Sequence, residues 1–163
     1  MVDPPDSPSW RSAMPTFPWT TPHSPTASPN RPPEPAGGAT TQTMASRFIL
    51  RSRWQTVAML RQSLAVRRAL LTTPGALGVS LVARPLRREY YTLSRWTDRD
   101  ALNAFVRGDA HVAAMRRFGP AMADARFALW PTAAEADAPS WEDAFARLAD
   151  APPRPHQAPT RVG

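Results

Sequence analysis

The chain has 163 residues, of which 20 are proline, 20 are basic and none is cysteine, and every basic residue is arginine. The absence of Cys excludes disulfide frameworks, thiolate metal sites and cysteine nucleophiles, and the absence of Lys excludes Schiff-base chemistry. The net charge of +7 is unevenly placed, because residues 44–96 hold ten Arg and one acid while the segments on either side are each slightly acidic. The strongly basic character therefore belongs to one part of the chain.

The two ends of the chain are rich in proline. Eleven prolines lie within residues 1–43, among Ser, Thr and Asp and without an apolar period. Such a segment cannot bury enough surface to offset its ordering entropy, which predicts disordered tails over 1–43 and 151–163. The alternative for the first tail is a docking motif on its large apolar residues, Trp10, Phe17 and Trp19. Ordered structure is expected from Met44, which is also a candidate for the true start of the protein.

No segment of the sequence is typical of a signal peptide or a membrane anchor. The N-terminus lacks a basic stretch followed by an apolar run. The longest uncharged apolar stretch, residues 69–83, is too short to cross a bilayer and contains Pro74 and Gly75. These features predict a cytoplasmic protein with no membrane partner.

The first half of the ordered region predicts a strand, a helix and two more strands. Residues 44–53 alternate in polarity and predict the first strand. Residues 54–71 predict a helix, with four apolar residues at helical spacing: Val57, Leu60, Leu64 and Leu71. Residues 77–84 and 89–96 predict a pair of strands joined by a turn that starts at Pro85.

The second half predicts two helices, a strand and a last helix. A capping box at Thr97–Asp100 starts a helix that ends at Gly108, and Asp109 caps a short helix to Phe118. Residues 124–130 predict a strand that ends at Pro131. A second capping box at Ser140 starts a helix with an apolar stripe on Trp141, Ala144, Phe145 and Leu148.

The order βαββαβ with a C-terminal helix predicts an α+β, ferredoxin-like domain over residues 44–150. Its antiparallel sheet has helices on one face. The second face of so small a sheet is partly apolar, and a symmetric partner is the simplest cover for it. A homodimer is therefore expected.

Three motifs carry a resemblance to a known superfamily. They are Thr92–Trp96 (TLSRW), Ala101–Phe105 (ALNAF) and Gly108–Met115 (GDAHVAAM). The sequence resembles the dimeric α/β-barrel proteins that include antibiotic-biosynthesis and haem-degrading monooxygenases. Within them it is most similar to a bacterial group described as DUF3291-like or spheroidene-monooxygenase-like. The resemblance covers roughly residues 44–150 and implies a dimeric α/β barrel with a monooxygenase-like activity.

The residues that would handle haem differ from those of the haem-degrading relatives. Those proteins use an Asn in the first strand, a Trp in the second helix and a His about one turn later. Here the first strand has no Asn, Phe105 takes the Trp position and Met115 the His position. No cofactor is therefore predicted, and haem is kept as an alternative. A protein metal site is not expected either, because the ordered region holds one His and no ligand cluster.

His111 is the strongest candidate for chemistry. It shares a helix face with Met115, and a neutral imidazole there can act as general base on a phenolic substrate. The alternative is a structural histidine bonded to a backbone carbonyl. Arg95 is the candidate for steadying an oxyanion. The candidate substrate-binding residues are the aromatics and polar groups nearby, Trp96, Tyr90, Tyr91, Asn103, Phe105 and Met115.

These residues predict oxidation of a small lipophilic or aromatic compound, with the substrate itself supplying electrons to oxygen. The alternative is a non-catalytic dimer that binds a small molecule or a partner protein on the same scaffold. RNA binding is a further alternative, because Arg84, Arg87 and Arg88 flank Tyr90 and Tyr91. The strand EYYTLSRW lacks the aromatic-glycine pattern of RNA-recognition motifs, however, so nucleic acid is not the expected partner.

Overall fold

A computed structural model describes residues 16–22 and 40–154. Five strands and four helices follow one another along the chain: β1 (Thr16–Thr20), β2 (Thr40–Leu50), α1 (Thr56–Leu71), β3 (Ala76–Arg84), β4 (Glu89–Trp96), α2 (Arg99–Arg107), α3 (Asp109–Phe118), β5 (Met122–Ala133) and α4 (Trp141–Asp150). Short 3-10 turns occupy Arg53–Gln55, Pro85–Arg87 and Gly119–Ala121. None of the described helices is long and apolar enough to span a membrane.

The strands form one antiparallel sheet in the order β1-β3-β4-β2-β5. The four strands from β2 to β5 have the ferredoxin-like arrangement, in which the first and third strands of the motif pair at the centre. The predicted α+β class and βαββαβ order are therefore confirmed. β1 is an addition, paired with the outer edge of β3.

Two pieces of the segment predicted as a tail lie in the sheet. β2 begins at Thr40 instead of Met44, and Thr16–Thr20 forms β1. β1 is held by the hydroxyl of Ser80, which donates to the Phe17 carbonyl at 2.8 Å, and by Trp19, whose ring lies where a side chain on Gly78 would be. An edge strand also tolerates the proline at position 18, because one side of it needs no ladder hydrogen bonds. Residues 151–154 of the second predicted tail are also described, and the Arg154 amide donates to the Ala125 carbonyl at 2.8 Å. Most other residues of the predicted tails, Trp10 included, lie outside the described residues.

Helices cover both faces of the sheet: the helices of the βαββαβ order lie on one face, as predicted, and the additional C-terminal helix covers the other. On the first face, α1, α2 and α3 pack on side chains such as Leu50, Tyr90 and Trp96. On the second face, α4 lays Ala144 and Leu148 against a buried layer made of Ala45, Val82, Tyr91, Leu93 and Trp130. The second face, which was expected to be covered by a symmetric partner, is thus covered in part by α4 of the same chain. The homodimer stays a prediction.

Several local predictions differ from the structure at helix ends. Asp98, and not the Thr97–Asp100 pair, caps α2, because its Oδ1 accepts from the Ala101 amide at 2.8 Å. Gly108 takes the cap position of α3 that was predicted for Asp109. The cap of α4 by Ser140 is confirmed, with its hydroxyl accepting from the Asp143 amide at 3.1 Å. These differences shift helix starts by about one residue and leave the fold unchanged.

Two larger differences concern the burial of α1 and the length of β5. α1 buries Met59 and Leu70, while Val57, which the helical pattern assigned to the core, is exposed. β5 continues through Pro131 to Ala133, because it is an edge strand and proline is tolerated where no neighbour needs its amide. This extension brings the turn after β5 within reach of the second face.

Candidate functional site

An apolar cavity of about 310 Å³ lies on the first face, between the sheet and helices α1 and α3. The sheet side is formed by β3 and β4, and the helical side is formed mainly by one long flank of α1. Representative wall residues are Met59, Val66, Leu81, Ala83, Met115 and Phe118. This volume is at the lower end of the range for small-molecule sites, and walls of this kind suit a flat, uncharged ligand.

His111 lies in the cavity wall, in the first turn of α3. Its Nδ1 is 3.0 Å from the carbonyl oxygen of Val106. A carbonyl can only accept a hydrogen bond, so Nδ1 carries the proton and Nε2 holds a lone pair in the neutral ring. Nε2 makes no hydrogen bond with the described residues. Burial lowers the pKa of His111, and the Val106 bond opposes this only in part. The imidazole is therefore neutral near pH 7 and able to accept a proton.

Three other predicted residues line the cavity with His111. Met115 lies one turn further along α3, and Tyr90 and Tyr91 line it from β4, although the hydroxyl and ring of Tyr91 are engaged on the second face. Burial raises the pKa of Tyr90, so the phenol is protonated at neutral pH. The structure therefore brings His111, Met115 and Tyr90 together in the wall of one cavity.

Arg95 lies on the opposite face of the sheet and does not reach the cavity. Its Nε donates to Thr41 Oγ1 at 2.8 Å, and its two terminal nitrogens donate to four backbone carbonyls in the turn after β5: Ala133, Ala134, Ala136 and Asp137. Burial lowers the pKa of Arg95. Because the guanidinium is occupied by carbonyls, its predicted role in steadying an oxyanion is corrected to one of holding this turn on the sheet.

Three more predicted residues support the cavity or lie away from it. Trp96 is fully buried, with its Nε1 donating to Ser94 Oγ at 3.0 Å, and its ring centroid is 5.2 Å from that of Phe105. Phe105 in turn contacts the His111 ring at 5.5 Å. Trp96 and Phe105 thus back the His111 ring without lining the cavity. Asn103 is half-buried on α2 and does not line the cavity either.

Tyr91 is engaged on the second face, where its hydroxyl donates to Glu89 Oε2 at 3.0 Å and its ring packs edge-on against Phe145. Arg84 lies over the same two rings and pairs with Glu89. Burial would raise the pKa of Glu89, but hydrogen bonds from Tyr91 and Arg47 outweigh it and lower this pKa. Because both Tyr90 and Tyr91 are buried, the sheet does not offer the exposed aromatic platform that RNA binding needs.

Several cavity residues were not predicted from the sequence. Polar contributions come from Gln62, Ser63 and Arg67 on α1 and from Thr92 on β4, and Phe17 of β1 closes one edge. Arg67 donates a hydrogen bond to the hydroxyl of Thr20 in β1. The signal that could have found Thr92 is its alternation with Tyr90. Leu60 and Leu64 of the predicted apolar stripe do line the cavity, but an apolar pattern does not identify the polar α1 residues beside them.

No group of three or more His, Asp or Glu side chains close enough to hold a metal ion occurs within residues 16–22 and 40–154.

Comparison with solved structures identifies the fold. A protein from Shewanella oneidensis superposes with a TM-score of 0.52 at 13% identity, covering 60% of this chain and 95% of its own. A proposed antibiotic biosynthesis monooxygenase from Nitrosomonas europaea gives 0.51 at 10% identity, with 60% and 92% covered. A proposed monooxygenase from Fusobacterium nucleatum gives 0.53 at 10% identity, with 58% of this chain covered. This chain spans 43% of the Fusobacterium protein, less than half of its length. At these identities the likeness concerns the fold alone.

The sequence itself assigns the family. No functionally curated protein matches the chain. The family described as "Domain of unknown function (DUF3291)" matches residues 46–152, which is more than half of the chain and extends from within β2 past the end of α4. The resemblance seen in the TLSRW, ALNAF and GDAHVAAM motifs is thereby confirmed, and the chain belongs to the DUF3291 family, on a fold shared with antibiotic-biosynthesis-monooxygenase-like proteins.

Proposed function

We propose that this protein binds a small aromatic hydroxy compound in the cavity and oxygenates it without a cofactor, with His111 as the general base. The observation that carries the proposal is the position of His111. Its Nδ1–H is anchored on Val106 while Nε2 is unbonded, in the wall of an apolar cavity of ligand size. A proton acceptor fixed in this tautomer is what deprotonation of a phenol requires.

The reaction balances with the substrate as the sole reductant. Nε2 takes the phenolic proton, and the phenolate passes electrons to molecular oxygen as a bond forms between a ring carbon and one oxygen atom. The imidazolium returns its proton to the distal peroxide oxygen. The O–O bond and the C–H bond at that ring carbon then break, and water leaves. The sum is a hydroxyarene plus one O₂ giving a quinone plus one H₂O, with four electrons drawn from the ring.

Polar residues in the cavity wall can orient the substrate. Thr92 on the sheet and Gln62 on α1 are among the polar residues that line the cavity. A ligand carbonyl or second hydroxyl can be held there while the apolar walls enclose its rings. Specificity would then follow from a few polar contacts in an apolar site.

The second candidate function is binding of the same kind of ligand without chemistry. It is favoured by the position of Arg95, because the donor that was expected to steady an oxyanion is occupied on the opposite face. In this case His111 would be a hydrogen-bond partner of the ligand.

Oxygen uptake and ligand binding, measured on the same variants, separate these functions. The probes are 1-naphthol and a three-ring phenol, with binding followed by isothermal calorimetry and turnover by an oxygen electrode. We expect His111→Gln to slow oxygen uptake by roughly 10²–10⁴-fold, the usual contribution of a general base, with binding changed little. Asn103→Ala, on the neighbouring helix but off the cavity, is the matched control and should leave both unchanged.

The possible results of these measurements distinguish the two functions. Binding without oxygen uptake supports the second function and refutes the first. Oxygen uptake that is equal in wild type and His111→Gln refutes the role of His111. If no aromatic probe binds, both functions are wrong. Haem titration tests the remaining alternative: a Soret shift that is lost in His111→Ala would show that His111 is a haem ligand.

A further inference from the structure

Three large apolar side chains are exposed at one end of the sheet. Trp54 is 87% exposed, Val57 is 69% exposed and Leu86 is fully exposed. Trp54 and Leu86 line the same shallow surface depression, together with Arg51, Arg53 and Arg88. The β2–α1 connection and the β3–β4 turn are held side by side, because the Leu50 amide donates to the Arg88 carbonyl and the Arg88 side chain donates to the Arg51 carbonyl. We call this surface, residues 51–57 and 86–88, the Trp54–Leu86 tip.

The Trp54–Leu86 tip carries basic charge with no acid of its own. It holds four arginines, Arg51, Arg53, Arg87 and Arg88. The nearest acid in sequence, Glu89, is paired with Arg47 and Arg84 and is turned toward the second face. The end of α3 adds to the charge, because the Arg51 amide donates to the Ala121 carbonyl just past Arg116 and Arg117. Four of the ten arginines of residues 44–96 are therefore gathered around exposed apolar groups.

We propose that the Trp54–Leu86 tip docks on the surface of an anionic lipid bilayer. Trp and Leu gain free energy at the boundary between headgroups and acyl chains, where an indole can keep its N–H hydrated. Each Arg near such a surface adds electrostatic attraction. Stable peripheral binding requires two signals of this kind, and the tip supplies both on one rigid pair of turns.

The charge pattern of the Trp54–Leu86 tip favours a lipid surface over a second copy of the chain or a nucleic acid strand. A second copy placed by two-fold symmetry would bring the arginines of one tip against those of the other, which is repulsive. A nucleic acid strand would use stacked aromatics, and Trp54 is the one exposed aromatic residue of the tip. The sequence predicts no membrane partner on the ground that no spanning segment exists, but surface docking requires none.

Docking would also place the cavity close to the bilayer. Met59 and Pro85 line the cavity, and they are near neighbours of Val57 and Leu86 in the chain. A lipophilic ligand could then pass from the membrane to the cavity over a short distance. This link rests on the proposed function, whereas the docking itself does not.

The test is co-sedimentation of the full chain with vesicles, either of phosphatidylcholine alone or of phosphatidylcholine mixed with phosphatidylglycerol. We expect binding to the mixed vesicles that weakens with added salt. Arg53→Gln with Arg87→Gln should weaken it roughly 30-fold, since each Arg contributes about a factor of five near an anionic surface. Arg68→Gln with Arg99→Gln, exposed arginines at the other end of the sheet, is the matched control and should bind as wild type.

Trp54 provides a second readout that does not depend on charge. Trp54→Ala with Leu86→Ala should release the protein from mixed vesicles while leaving its circular dichroism spectrum unchanged, because both side chains are exposed. Trp54→Phe should still bind but lose the blue shift of tryptophan emission that vesicles cause in the wild type. This spectroscopic signature reports insertion of residue 54 itself.

Several results would overturn the proposal. These are no binding to mixed vesicles, binding that the tip variants do not weaken, or a dimer in solution that Trp54→Ala with Leu86→Ala dissociates. Binding of single-stranded RNA or of an acidic peptide that the tip variants abolish, without vesicle binding, would assign the tip to that partner instead. Because no outcome involves oxygen uptake, failure here is distinct from failure of the proposed oxygenase.

Discussion

Replacement of Arg95 by Met distinguishes a catalytic arginine from a structural one. The side chain keeps its approximate length and loses five hydrogen bonds, one to Thr41 and four to the carbonyls of residues 133–137. A hydrogen bond to a charged group contributes about 1.5–3 kcal/mol, but the carbonyls of a surface turn can bind water once Arg95 is gone. The contributions are therefore not additive, and we expect a loss of about 3 kcal/mol in the free energy of unfolding.

The assay is thermal unfolding followed by circular dichroism, with ligand binding measured below the transition. A loss of about 3 kcal/mol corresponds to a fall in Tm of roughly 6–12 °C for a chain of this size. Arg95→Lys should be intermediate, because an ammonium keeps the charge without the planar fork that reaches four carbonyls. Arg99→Met, on the exposed surface, should change little. A Tm that Arg95→Met leaves unchanged, combined with lost binding or oxygen uptake, would refute the structural role and restore the catalytic one.

Three further predictions follow, two from His111 and one from the edge strand β1. Burial lowers the pKa of His111, so kcat/KM of the proposed reaction should increase with pH and reach half of its maximum below pH 6.5. A half-maximum well above pH 6.5 would contradict a buried base. Because the pKa of His111 is lower in the folded protein, the folded state binds fewer protons than the unfolded chain in acid. The contribution of His111 to the free energy of unfolding should therefore fall as the pH drops below about 6.5 and be constant above it. Urea unfolding of the wild type and of His111→Gln measures this contribution. Gly78→Ala places a Cβ 2.4 Å from the Trp19 ring and should destabilise by about 1–3 kcal/mol, whereas Gly119→Ala meets nothing within 4 Å. The cost of Gly78→Ala should vanish in a Trp19→Ala background, and a cost that persists there would show that Trp19 is not the cause.

The elements that could be predicted from the sequence are those with a strong local signal. β4 has the predicted bounds because EYYTLSRW lies between a turn and a helix cap, and α4 starts at the predicted Ser140 because a side-chain cap is a local interaction. β1 could not be predicted, because TFPWT has no period that indicates a strand and is stabilised by Ser80 and Gly78, more than 55 residues away in the chain. Pairing partners so distant leave no trace in a local pattern.

In the candidate site, too, some positions could be predicted from local spacing and others could not. His111 and Met115 share a helix face by spacing alone, so their common position could be predicted, and alternation placed Tyr90 and Tyr91 on opposite faces. Alternation does not say which face holds the cavity. Arg95 was assigned to the site because it stands beside Trp96, yet neighbours in a strand point in opposite directions and Arg95 lies on the face of α4.

The sequence by itself determined the family, the ferredoxin-like order of elements, the absence of thiol and amine chemistry, and the single histidine of the folded region. These follow from composition, periodicity and local motifs, which need no knowledge of distant contacts. The tertiary structure decided which face encloses the cavity, that α4 covers the other face, and that exposed Trp54 and Leu86 meet among arginines at one end. Those properties depend on how the strands pair and where two separate turns come together, and the free energy that decides this comes from packing between segments far apart in the chain.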